Sequence, residues 1–305
     1  MPRLLTRRDL DALLEPAACL AALRDGFLAM GTATAVPGQR MRTDPPFPGT
    51  ATAVIPATAV IPGIEACAVK VAGAGSRSVI CLCGGTNGEL VALLDAATVT
   101  AWRTGLAAAL GTHVLADPAE DAVMGVIGAG VQAELMLRGL DVLRPYGQLL
   151  VHDTDFDRAT EFAVRHGGKV LGSPTEIASA ADIVLLTTWS RTPLLSLADT
   201  REGQHLTSLR ADEPGGRELA ADLLDAALVV VDDRQLAASV GALASADIDT
   251  TLGDVLRGDH PGRTEVAVRS VYTPVGLPWQ DLALAWLAYE RAERDGVGRR
   301  VNPLG

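Results

Sequence analysis

The sequence is poor in aromatics, in cysteine and in positive charge, and each shortage removes a class of function. Phenylalanine, tryptophan and tyrosine together make up 4% of the 305 residues. Small aliphatic side chains interleaved with glycine suit the close helix–sheet contacts of an α/β protein better than the core of an all-β sandwich. The formal net charge is −11, and no Lys/Arg cluster able to neutralise a row of phosphates occurs, which argues against nucleic acid and anionic membranes as partners. The four cysteines, Cys19, Cys67, Cys81 and Cys83, match neither a disulfide framework nor paired zinc ligands and are expected as buried, reduced thiols. His113, His152, His166, His205 and His260 never fall at ligand spacing, so no metal is expected. Long apolar runs are missing too, with one exception. Ala51–Gly75 carries only Glu65 and Lys70 as charges, but Pro56 and Pro62 interrupt it. Its β-branched units 52–57 and 58–63 read as buried strands and not as a membrane span. Met1–Leu10 lacks the apolar core of a signal peptide, which points to the cytoplasm.

What is present divides the chain in two. A length of 305 residues exceeds the usual single domain. Thr6 can cap one short helix, and Pro16 can start a second with Leu20, Leu23, Phe27 and Met30 on one face. From Gln39 to Leu94 short β-branched runs predict an antiparallel sheet, with Thr86-Asn87-Gly88 as a hairpin turn. Ala96–Ala116 predicts a long helix, with Thr98 near its cap. Beyond Asp117, apolar strands alternate with amphipathic helices. Val123–Ile127, Leu149–His152, Ile183–Thr187, Leu206–Leu209 and Leu228–Val231 are the strand candidates, and their alternation predicts a doubly wound parallel sheet. Pro278–Asp295 reads as a final helix that returns to the first domain. The expected layout is therefore a substrate and dimerisation domain of α+β type (1–116, completed by 276–305) and a Rossmann domain (117–275).

Val123–Ile127 runs into Gly128-Ala129-Gly130-Val131-Gln132-Ala133, a G-x-G-x-x-A turn between a strand and a helix. Gly128 permits the tight turn, Gly130 lets backbone approach a pyrophosphate, and the helix start offers N–H groups and a positive dipole end. The next strand ends at Asp153, about 25 residues on, where an acid commonly accepts hydrogen bonds from the adenosine ribose. Asp153 and Asp155 would repel a 2′-phosphate and no arginine follows immediately, so NAD is favoured over NADP.

Leu90–Asp95, Thr100–Gly105, Gly128–Ala133, Arg210–Leu219 and Val230–Asp233 occur in an order that resembles the ornithine cyclodeaminase/mu-crystallin family, from about Gln39 to the closing Val275-Gly276 and Gln280–Ala283. The resemblance implies that Arg42, Lys70 and Arg103 bind a substrate carboxylate, and that Asp212 moves a proton at the substrate nitrogen. The chemistry is sensible. A guanidinium clamps a carboxylate bidentately, and a lysine in an apolar run can polarise an imine or give up a proton. The resemblance also implies a homodimer joined through the first domain's sheet, whose strands, read as lacking flanking helices, would present an apolar face to a second chain. Hydride transfer between nicotinamide and the α-carbon of a small amino or imino acid is the activity implied. A redox-neutral cyclodeaminase and a dinucleotide-binding protein without turnover are the alternatives. Ile55-Pro56 and Ala53 stand where ornithine-type members carry a Met-Pro turn and an acid, which weakens ornithine as substrate. Arg210 stands where relatives usually carry a small residue.

Overall fold

The computed structural model describes residues 1–30, 41–43, 52–57, 61–72, 78–209, 217–239, 243 and 247–302, with the backbone alone at 41–43, 52–57 and 72. These residues form two compact units, 1–104 with 277–305, and 105–276. The division falls inside the long helix and not at its end. Helix propensity carries the Ala-rich segment straight across the point where contacts change sides.

In the first unit a short strand β1 (Arg3–Leu5) leads into helices α1 (Arg7–Leu13) and α2 (Pro16–Ala29). Thr6 and Asp9 close a capping box on α1, and Pro16 opens α2. Strands β2 (Met41–Thr43), β3 (Thr52–Ala57), β4 (Ala66–Ala72), β5 (Val79–Gly84) and β6 (Leu90–Asp95) then pair antiparallel in sequence order. The hairpin between β5 and β6 turns at Gly88, whose φ of 69° needs glycine, and Gly88 N donates to Gly84 O at 2.9 Å. The second β-branched unit expected before Gly63 is not a strand where it is described: Pro62 and Gly63 form a turn. Asp95 caps α3 (Ala96–Leu115), its side chain accepting from Thr98 N at 3.0 Å.

The second unit follows as β7 (Val123–Ile127), α4 (Val131–Leu143), β8 (Gln148–His152), α5 (Phe156–His166), β9 (Lys169–Val170), α6 (Pro174–Ala180), β10 (Ile183–Leu186), β11 (His205–Ser208), α7 (Ala221–Asp225), β12 (Leu228–Val231), α8 (Arg234–Ser239), β13 (Thr250–Thr251), α9 (Leu252–Arg257) and β14 (Ser270–Tyr272). All strand pairs are parallel, in the order β13-β12-β14-β11-β10-β7-β8-β9. Alternate strand residues bury on opposite faces. Met124, Val126, Leu149 and Val151 meet α4 and α5, while Ile127, Leu150, Val184 and Leu186 meet α6 and α7. The order reverses between β7 and β10, and a doubly wound sheet opens a crevice at that point.

The chain closes with α10 (Pro278–Asp295) and β15 (Arg299–Arg300), which belong to the first unit. β15 pairs with β1, and β1 runs parallel to β6. Helix α10 packs on α2 and on β3, β4 and β5. The ring of Trp279 meets Phe27 edge-on at 5.0 Å and lies where a Cβ on Gly26 would sit. The sheet therefore does have a helix on one face, contrary to the sequence expectation, because α10 arrives from almost two hundred residues away in the chain. The other face carries Cys67, Val69, Val79, Cys81, Cys83 and Leu93, all half-buried, and Val71, 36% exposed. Only Cys19 among the cysteines is buried. The other three are half-buried free thiols on this apolar face, not the buried thiols expected.

Candidate functional site

In the second unit, Gly128, Gly130, His152, Asp153, Thr187 and Thr188 line a cleft of about 340 Å³ at the carboxyl ends of β7, β8 and β10. Gly128 has φ 97°, and a Cβ there would lie 2.9 Å from the carbonyl oxygen of Thr187. No other residue fits that turn without strain. Gly128 N donates to His152 O at 2.8 Å, and Thr187 Oγ1 donates to Gly128 O at 2.6 Å, so three strand ends hold the turn. No described residue lies within 4 Å of a Cβ built on Gly130. Helix α4 starts at Gly130 with no side-chain cap, which leaves its first N–H groups for a ligand. Ala133 is fully buried in the core, where its small size lets α4 lie close to the sheet. Val131 is 66% exposed, while Gln132 keeps a buried Oε1 without a hydrogen-bond partner among the described residues.

Asp153 is tied more closely than its sequence position suggested. Its Oδ2 accepts from Ala129 N at 2.8 Å, so the second motif residue steadies the acid through its N–H. Its Oδ1 accepts from Asp155 N at 2.9 Å and pairs with Arg158 at 3.2 Å. Sequence reading missed Arg158, Pro174 and the segment Thr187–Ser190 as lining residues. Arg158 lies five residues after Asp153, and Asp155 caps α5 by accepting from Arg158 N at 3.1 Å, which turns that residue back to the cleft. The missed segment follows β10, and only the sheet order places it beside Gly128. An open glycine cradle, an uncapped helix start and a fixed acid at the next strand end fit a dinucleotide.

The first unit holds the cations. Ala66, Ala68 and Lys70 alternate on the buried face of β4 beneath α10. Lys70 is 7% exposed, and its Nζ donates to Thr100 Oγ1 at 2.5 Å and pairs with Asp281 Oδ2 at 3.2 Å. Arg103, one turn along α3 from Thr100 and 8% exposed, lies 3.5 Å from Asp281 Oδ1 through Nε and 3.5 Å from Gln280 Oε1 through Nη1. That Nε makes no aligned hydrogen bond among the described residues. Asp281 sits in the first turn of α10, where the helix dipole favours a carboxylate. Two of the expected carboxylate ligands thus converge on an acid that sequence reading had matched only as part of the closing segment. Arg42 pairs with Ala53, and Ala53 with Ala72, so the register puts position 42 on the same sheet face as position 70. Asp212 and Arg210 lie outside the described residues.

The second unit's parallel sheet, with a switch-point cleft between the Gly128–Gly130 turn and the Asp153 carboxylate, has the Rossmann arrangement of dinucleotide-binding proteins. The chain belongs to the ornithine cyclodeaminase/mu-crystallin family, whose model matches residues 71–296. It is 31% identical to an alanine dehydrogenase of Archaeoglobus fulgidus over 71% of this chain and 70% of that one. Among solved structures it resembles Thermococcus litoralis Δ1-pyrroline-2-carboxylate reductase in complex with NADH and L-proline, at a TM-score of 0.88 and 27% identity over 98% of this chain and 100% of the other. An archaeal alanine dehydrogenase dimer with bound NAD matches at a TM-score of 0.89 and 25% identity, covering 99% of each chain. No described helix is long and apolar enough to cross a membrane.

Proposed function

We propose that this protein is an NAD-dependent oxidoreductase acting at the carbon–nitrogen bond of a small amino or imino acid, as an imine reductase or amino-acid dehydrogenase. The observation that carries the reading is the buried pair Lys70 and Arg103 gathered on Asp281, with an Arg103 Nε that makes no aligned hydrogen bond among the described residues. Two buried cations that share the Asp281 carboxylate form a positively charged group, and a substrate carboxylate is an anion that such a group can bind. Arg103 and Arg42 clamp that carboxylate. Lys70 polarises the C=N bond or supplies its proton, and Asp212 moves a proton at the substrate nitrogen. Gly128, Gly130 and the start of α4 take the pyrophosphate, and Asp153 the adenosine ribose. Bound NAD(H) supplies or accepts the hydride at the nicotinamide ring. Asp153 disfavours a 2′-phosphate, and Arg158 beside it softens that preference without reversing it.

The test is to offer cyclic imino acids, and small 2-oxo acids with ammonia, with NADH and NADPH side by side. Loss of near-ultraviolet absorbance in proportion to product, faster with NADH, is the expected result. Conversion of ornithine or lysine to a cyclic product with no net absorbance change would replace the reading by a cyclodeaminase. Nucleotide binding without turnover across the panel would make the protein a binder only.

The half-buried face of Cys67, Val69, Val71, Cys81 and Leu93 is apolar and extends over β4, β5 and β6. We infer that a second copy of the chain covers it. Light scattering should give twice the chain mass, and Val69→Glu, which puts a charge in the middle of that face, should give the single-chain mass with the helix content unchanged.

A further inference from the structure

Glu218 has no part in the chemistry described above, yet it is 1% exposed and hydrogen-bonded at both oxygens. Its Oε1 accepts from Thr188 N and from Thr188 Oγ1, each at 2.7 Å. Its Oε2 accepts from Ser208 Oγ at 2.7 Å. Burial pushes the Glu218 carboxyl above the usual carboxylate range, against the pull of these donors. The backbone of the same residue continues the grip, since Glu218 O accepts from Leu194 N at 2.8 Å and Leu195 N at 3.3 Å. One side chain thus ties the segment after β10 to the end of β11, and its peptide ties in the loop that returns to the cleft.

The location gives this cost a purpose. Thr187, Thr188, Trp189 and Ser190 form the wall of the cleft that follows β10, and Thr188 is the residue Glu218 holds twice. A dinucleotide lies across the switch point with one nucleotide on each side. Asp153, at the end of β8, marks the adenosine side, so the nicotinamide nucleotide belongs on the β10 side, against Thr187–Ser190. A carboxylate is a demanding choice for a spacer, because its burial must be repaid by donors. It is well suited to keeping a backbone amide and a hydroxyl of one residue in a fixed direction.

We propose that Glu218 is a positioning residue for the nicotinamide half of the cofactor, acting through Thr188, while the adenosine half is held independently of it. The proposal rests on the dinucleotide reading of the cleft.

Calorimetric titration of the wild-type protein, Glu218→Gln and Glu218→Ala with NADH and, separately, with ADP tests it, together with thermal unfolding without nucleotide. For Glu218→Gln, well below its unfolding temperature, NADH should bind about tenfold more weakly or worse, because glutamine puts an NH2 group where one of the two oxygens now accepts. ADP affinity should stay within about twofold. If Glu218→Ala does not fold, the pair Thr188→Val with Ser208→Ala removes two of the donors and should give the same split. Unchanged NADH affinity in a folded Glu218→Gln overturns the proposal whatever happens to the unfolding temperature, and so does an equal loss for NADH and ADP. A wild-type protein that binds neither nucleotide overturns the dinucleotide reading itself, and this proposal with it.

Discussion

Lys70→Met should lower kcat/KM for the imino acid about a thousandfold, within the range that a positioned proton donor contributes, while the protein stays folded. Methionine keeps most of the length of the lysine stem on the buried face of β4 and removes only the ammonium. Asp281 then still faces Arg103 at 3.5 Å and the start of α10, and Thr100 Oγ1 still donates to Ala96 O at 2.6 Å. The carboxylate keeps one cation, so stability should change less than in a variant that loses the acid. Asp281→Asn makes the opposite change. It leaves Lys70 and Arg103 buried without the carboxylate they share, and loss of one member of a buried pair costs roughly 3–5 kcal/mol. Chemical unfolding and steady-state kinetics on the two variants separate the effects. Lys70→Met loses turnover with its unfolding midpoint nearly kept, and Asp281→Asn loses the midpoint first. Turnover within threefold of wild type in Lys70→Met would remove the lysine from the chemistry.

The difference between these two residues also shows what a sequence can reveal. Lys70 stands out because it is a lone charge in an apolar, β-branched run, and Gly128 because a strand, a tight turn and a helix must meet there. Both are local signals, fixed within a few residues by steric and solvation rules. Asp281 is 211 residues from Lys70. An acid in the first turn of an amphipathic helix looks like any dipole-friendly cap, and only the return of α10 to the first sheet makes it a partner. Glu218 stands out in the sequence only as part of the Arg210–Leu219 segment, since the donors to its carboxylate come from two separate segments, at Thr188 and at Ser208, and neither precedes it closely. Arg158 was discounted because it does not follow Asp153 directly, although the Asp155 cap brings it back. The long strands and helices of the second unit were legible by period, but β9, β13 and β14 have only two or three residues each, too few to show alternation. β14 lies between β11 and β12, a place set by sheet order and not by neighbours in the chain.

The largest pH effect on stability should come from His205. It is fully buried on β11, with Nδ1 2.8 Å from Ser270 Oγ and Nε2 2.9 Å from Thr207 Oγ1. Thr207 Oγ1 meets Thr112 Oγ1 at 2.7 Å, and Ser270 Oγ reaches Leu115 O at 3.2 Å, so the ring links two strands to the last turns of α3. Hydroxyls accept as readily as they donate, and hydrogen bonding alone would admit the ring in either protonation state. Burial decides, with the charges of Arg263 and Arg144 adding to it, and together they hold the His205 pKa down from 6.5 to about 3. Between those values the unfolded chain takes up a proton that the folded one refuses, so stability falls as the pH drops below 6.5. The loss approaches 1.4 kcal/mol per pH unit and totals roughly 4–5 kcal/mol by about pH 3. His205→Gln has no such titration. It should be less stable than the wild type at pH 7 by about 1–3 kcal/mol, through imperfect hydrogen bonding, and the gap should close and then reverse as the solution is acidified. Urea unfolding of both proteins at intervals from pH 7 to pH 4 reads this directly, because carboxylate titrations common to the two cancel in the difference. Parallel curves across that range would mean that the buried ring accepts its proton in place, and that the hydroxyl network tolerates an imidazolium.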